Sequence, residues 1–180
     1  MSALTIDRRY LNRLTDAPEP TGAVVVIDVL RSFSTAAWAI HQGARELYPV
    51  ASPSDGFRLQ LELPEALLVG AIGGGAPIPG YHYGNSPSEV QGADLRGHPL
   101  IHCTAAGVRG LSRFQAAPLL FGAALVNAKA TAAAIRQAGA EQVTLVITGE
   151  WTDRDGDEDI ACADYLEALL RDEPAEAAEF

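Results

Sequence analysis

Short apolar runs alternate with helical stretches along this chain, and the run Ala23-Val24-Val25-Val26-Ile27-Asp28-Val29 sets the pattern. It is continuous and β-branched, so it suits a strand covered on both faces rather than one with a wet side. Ser32 to Gln42 follows as a helix, with Gly43 placed to end it. Glu46 to Val50 reads as a second strand, Pro53 to Glu62 as a short helix with Pro53 near its start, and Glu65 to Gly70 as another strand. A Gly/Pro-rich loop runs from Gly73 to Gly80. Further strands are expected over Pro99 to Thr104, Leu119 to Gly122 and Gln142 to Thr148. Further helices are expected over Ala105 to Phe114, Asn127 to Ala138 and Asp157 to Arg171. Strand–helix alternation with short links predicts a layered α/β fold with a mainly parallel sheet. Ligands of such sheets gather outside the carboxyl ends of the strands.

A chain of 180 residues is expected to form one domain, here 1–170, followed by an acidic, Ala-rich tail over 171–180. The net charge of −10 argues against a nucleic-acid or anionic-membrane surface. No run approaches the roughly 18 apolar residues of a membrane span. The polar N-terminus argues against a signal peptide. Two cysteines, Cys103 and Cys162, do not make a disulfide framework, which points to a reducing cytoplasm. Apolar surface on an Ala-rich α/β chain makes a homo-oligomer plausible.

Four segments carry residues suited to chemistry. In the first, Asp28 stands near the end of a strand, and Arg31, Ser34 and Thr35 fall where the next helix begins. Helix N-termini favour phosphate, Arg31 could clamp it, and Asp28 could hold a divalent cation. The plainer reading is that Ser32 caps the helix and Asp28 pairs with Arg31. As a cleft-facing carboxylate, Asp28 is not expected to matter for packing. In the second, Ser86-Pro87-Ser88-Glu89 is a capping box, which leaves Gly84-Asn85 as a turn that can face a ligand. His82, between two tyrosines, reads as structural. The third, His102-Cys103-x5-Arg109, resembles the phosphate loop of protein tyrosine phosphatases, where a low-pKa thiolate attacks phosphorus. An apolar helix start at Ala105-Ala106 is the competing reading. The fourth, Gly149 to Ile160, is rich in carboxylates suited to Mg²⁺, or is a solvated acidic turn at a helix N-terminus.

Taken in order, Ile27-Asp28-Val29-Leu30-Arg31 with Ser34-Thr35, Gly84-Asn85-Ser86-Pro87, Asn127-Ala128 and Glu158-Asp159 resemble the 2-phosphosulfolactate phosphatase family, the ComB family of coenzyme M biosynthesis. The resemblance runs from about Val24 to Ala163. It implies a three-layer α/β fold with helices on both faces of the sheet. It also implies a Mg²⁺-dependent phosphatase acting on a small, acidic, phosphorylated substrate. Asp28, Arg31 and Arg109 would be catalytic; Ser34, Thr35, Asn85, Ser86 and Asn127 would bind substrate; Asp28, Glu158 and Asp159 would hold the metal. The chain departs from the family pattern at Gly70-Ala71-Ile72, where Gly-Glu-Arg is usual, and at His82, where aspartate is usual. Its Ala105-Ala106-Gly107-Val108 replaces Thr-Asn-Gly-Thr. Two alternatives stay open: a non-catalytic binder of an anionic metabolite, and a cysteine phosphatase built on Cys103 and Arg109.

Overall fold

The structure, a computed structural model, describes residues 4–14, 19–72, 75–149 and 156–177. Among the described residues, eight strands divide between two four-stranded sheets. The first contains β1 (Thr5–Tyr10), β2 (Ala23–Ile27), β7 (Leu119–Ala123) and β8 (Gln142–Ile147), in the order β1-β8-β2-β7. All of its pairings are parallel, with Ala23 opposite both Leu119 and Val143, and Thr5 opposite Gln142. The carboxyl ends Tyr10, Ile147, Ile27 and Ala123 therefore lie along one edge. The second sheet has the order β3-β6-β4-β5: β3 (Glu46–Val50), β6 (Pro99–Cys103) and β4 (Leu67–Ile72) are parallel, and β5 (Ala76–Pro77) is antiparallel to β4.

The helices are α1 (Ser34–His41), α2 (Pro53–Glu62), α3 (Pro87–Val90), α4 (Ala106–Arg113), α5 (Ala128–Gln137) and α6 (Asp157–Leu170). All five β2 residues are 0% exposed. Because successive strand side chains alternate, that value requires cover on both faces, as the β-branched run predicts. The cover is α4, which packs on β2 and β7, together with α6 on β2 and β8 and α5 on β7. β6 is treated alike. Leu100 joins a cluster with Ala39, Val90 and Leu95, while its neighbour Ile101 joins Leu68 and Ala66 beside α2. The mainly parallel α/β expectation is met, with helices packed on the strands in a manner consistent with three layers.

Local signals explain the element ends. Ser52 accepts the Asp55 N–H at 3.1 Å with Pro53 in the first turn, so α2 begins and ends where expected. Gly43 takes a positive φ of 94° just after α1, as a helix-ending glycine does. The first helix starts later than Ser32, because Val29–Phe33 form a wide turn between β2 and α1; the Leu30–Arg31 peptide within it is cis.

One strand is not foreseen in the sequence, and one expectation needs correction. The polar N-terminal stretch contains a strand, β1, whose Arg8 pairs with Asp164 and Glu167 of α6. An edge strand tolerates such charges, which hid it. The expected Ser86 capping box does not form. Pro87 opens α3, but Ser86 Oγ bonds Ser88 Oγ, and Glu89 accepts the Gly84 N–H at 2.8 Å. In the tail, Ala175 packs against the main core and Lys129 lies 3.7 Å from Glu176; residues 178–180, with Phe180, lie outside the described residues.

Candidate active site

The carboxyl edge of β2 and β8 gathers three acids. Asp28 follows the last residue of β2, and Glu158 and Asp159 open α6. Asp159 is 1% exposed. Its Oδ1 accepts the Val29 N–H at 2.8 Å, and its Oδ2 accepts the N–H groups of Thr148 (3.2 Å) and Gly149 (2.7 Å) and the Thr148 hydroxyl (3.3 Å). One carboxylate thus ties the ends of β2 and β8 to α6. Burial pushes its pKa up to about 6, and the charges of Asp28 and Glu158 push the same way against its backbone hydrogen bonds.

Asp28 is 7% exposed. Its Oδ1 accepts the Ser32 N–H at 3.1 Å and its Oδ2 the Gly107 N–H at 2.8 Å. Burial raises its pKa, two backbone donors oppose the rise, and the Glu158 charge adds to it. Asp28 is therefore structural, contrary to its expected indifference to packing. The plainer reading fails also: Asp28, not Ser32, caps the turn, and Arg31 turns elsewhere. Arg31 lies 3.4 Å from the Gly75 carbonyl of the β4–β5 connection.

Ser32 and Thr104 link the two sheets' loops through a 2.8 Å hydroxyl contact beside Asp28. Gly107 completes this corner: a Cβ there would stand 2.7 Å from Ser32 Oγ and 3.0 Å from Asp28 Oδ2. Ser32, Thr104, Gly107 and Thr148 were not legible as site residues from sequence. The available signal was position, since Thr104 and Thr148 each directly follow a strand's last residue.

The other predicted residues are placed as follows. Ser34 and Thr35 donate to the Val29 and Arg31 carbonyls. Asn85 is buried and its Oδ1 lies 3.0 Å from His102 Nε2, in the layer beside the second sheet. Asn127 spans the turn after β7, accepting the Ala124 N–H and donating to the Gly122 carbonyl. Arg109 is exposed on α4 and donates to Asn12, which follows β1. The structure thus brings Asp28, Glu158 and Asp159 together, while Asn85 bonds His102 and Arg109 bonds Asn12 instead. Residues 150–155 of the acidic segment, Glu150 to Asp155, lie outside the described residues, as do Gly73 and Gly74 of the Gly/Pro-rich loop.

The His102–Arg109 segment is not a phosphate loop. Strand alternation sends Cys103 to the side opposite His102, where it meets Tyr81. The thiol is 2% exposed and burial raises its pKa, the reverse of an activated thiolate. The Gly107 N–H that would cradle a phosphoryl oxygen instead serves Asp28. His82 is structural, as expected: its Nδ1 accepts the Leu68 N–H at 2.9 Å.

Comparison with known proteins agrees with these motifs. The family model described as 2-phosphosulpholactate phosphatase matches residues 11–179. The chain is 38% identical over 165 residues to the probable 2-phosphosulfolactate phosphatase of Carboxydothermus hydrogenoformans, covering 91% of this chain and 66% of that protein. It is 38% identical over 153 residues to the protein of the same name from Parasynechococcus marenigrum (83% and 62%). It is 31% identical over 151 residues to that of Bacillus subtilis (84% and 65%). The match spans just under two thirds of each relative's length. With a family match over most of its sequence, the chain belongs to the 2-phosphosulpholactate phosphatase family.

Proposed function

We propose that the protein is a phosphoric monoester hydrolase acting on a small, acidic phosphoester of the 2-phosphosulfolactate kind. The observation that carries this reading is the gathering of Asp28, Glu158 and Asp159 at the strand ends of a chain in this family. Arg31, at the turn between β2 and α1, is the cation suited to hold phosphoryl oxygens. Asp159 fixes the ends of β2 and β8, so that Asp28 and Glu158 keep their places.

We also propose Mg²⁺ as the cofactor. The donor chemistry fits: three carboxylates crowd one corner, and burial, with a smaller share from their mutual charge, raises the pKa of two of them. Among the described residues no three such groups stand as a finished cage. Asp28 and Glu158 would hold the ion, with Asp159 enclosed behind them. When bound, Mg²⁺ supplies charge for the phosphoryl group and acidifies a water. No helix among the described residues is long and apolar enough to cross a membrane. The two buried free cysteines agree with a cytoplasmic setting, which is part of the proposal.

The test is inorganic phosphate release from 2-phosphosulfolactate with Mg²⁺, with EDTA, and after thiol alkylation. Release that needs Mg²⁺ and ignores alkylation supports the reading. Silence under all conditions would favour a non-catalytic binder.

A further inference from the structure

A large open space away from the carboxylates lies among the described residues. It is a cleft of about 740 Å³ between the open edges of the two sheets, β3 and β7. Its walls include Ala36 and Ile40 of α1, Leu111 of α4, Leu47 and Leu120. Phe33 stands between the cleft and the carboxylate corner: its ring lies against both Gly107, next to Asp28, and Gly122, on the cleft wall. The described lining holds no charged side chain, so nothing there would offset the charge of a phosphoester.

One polar side chain on the wall, His102, is buried with a ring nitrogen left over. His102 is 4% exposed, and its Nε2 faces Asn85 Oδ1 at 3.0 Å. Burial lowers its pKa to about 4, so the ring is neutral near pH 7. A neutral ring facing a carbonyl oxygen donates from Nε2, which leaves Nδ1 a bare acceptor. No donor among the described residues reaches Nδ1, and it is not among the atoms sealed from solvent without a partner. The cleft is the open space that His102 borders. Its volume is that of a small-molecule site, and a mainly apolar lining with a few polar groups, here His102, Ser112, Gln115 and Asn127, is the composition of such sites.

We infer that this cleft is a binding site, separate from the carboxylate corner, for a neutral and largely apolar small molecule that presents one N–H or O–H to His102 Nδ1. The inference rests on the cleft and not on the phosphatase reading, and it stands or falls independently of phosphate release.

The test uses the full ¹⁵N-labelled chain titrated with indole, a neutral apolar probe with one N–H, and with 1-methylindole, which lacks it. Indole is expected to bind saturably, to shift resonances of α1, α4 and β7, and to move the His102 Nδ1 signal in long-range ¹H–¹⁵N spectra. It should bind about fivefold to tenfold more tightly than 1-methylindole, the share of one neutral hydrogen bond. His102→Leu should bring the two probes to within about twofold of each other. Ala36→Phe, which fills the cleft without altering the imidazole, should abolish binding of both while the spectrum stays folded; it also decides the matter if His102→Leu does not fold. Millimolar inorganic phosphate should not displace indole. The inference is overturned by a protonated Nδ1 in the free protein, by equal affinity for the two probes in the natural chain, by indole binding that survives Ala36→Phe, or by a second copy of the chain occupying the cleft in solution.

Discussion

Asp159 offers a stability test that separates its charge from its hydrogen bonds. Its folded pKa of about 6 exceeds the ordinary 3.8, so the folded chain holds this proton more firmly than the unfolded chain. The stabilisation is fully present below the unfolded value and is lost as pH rises through the folded one. Linkage over these two values puts the loss between about pH 5 and about pH 7.5 at about 1.4 kcal/mol. Asp159→Asn has no such proton. Its amide oxygen can keep the donors Thr148 and Gly149, but its NH₂ then faces the Val29 N–H. Two donors facing each other in a buried corner cost about 1–3 kcal/mol at any pH. The variant should therefore be less stable than the natural protein throughout, with the deficit shrinking by about 1.4 kcal/mol from about pH 5 to about pH 7.5. Urea unfolding in EDTA, followed by circular dichroism at several pH values, measures it. A deficit that stays constant or widens with pH would refute the assignment of the raised pKa to Asp159.

Asp28→Asn should cost about 1–3 kcal/mol, because its NH₂ must face the Ser32 or the Gly107 N–H; urea unfolding with no measurable change would contradict the structural role given to Asp28. Gly107→Ala should lower stability by about 1–2 kcal/mol despite alanine's helix preference, since its Cβ would crowd Ser32 Oγ and Asp28 Oδ2. A melting temperature equal to or above that of the natural chain would count against that corner's packing. Cys103→Ser should retain most phosphatase activity, and alkylation of the folded protein should be slow, because the thiol is buried with a raised pKa. A loss of about a hundredfold in turnover, the scale of a removed catalytic group, would reinstate the thiol as nucleophile.

What the sequence discloses follows physical range. β2 was legible because five consecutive buried side chains leave an unbroken apolar run, and α2 because its cap and first-turn proline are local. Asp28 was legible by its place after a strand. The division into two sheets was not, because alternation gives the element types and not the order of strands. β1 was hidden by the charges that an edge strand can carry. Asp159's role was hidden because its first partner, Val29, lies 130 residues away and offers only a backbone N–H, which carries no residue identity. The likeness of His102-Cys103-x5-Arg109 to a phosphate loop had a local remedy, since adjacent strand residues face opposite sides and His102 and Cys103 cannot serve one ligand from β6.

The central claim is that the Asp28–Glu158 corner hydrolyses a phosphomonoester with Mg²⁺. Its most direct test is phosphate release from 2-phosphosulfolactate by the natural chain and by Glu158→Gln, each with Mg²⁺ and with EDTA. Glu158 is half-buried at the start of α6 and makes no side-chain hydrogen bond among the described residues, so its substitution should spare stability. The account predicts Mg²⁺-dependent release by the natural chain and a loss of about a hundredfold or more in Glu158→Gln. Release that is indifferent to EDTA, or undiminished in Glu158→Gln, would contradict it.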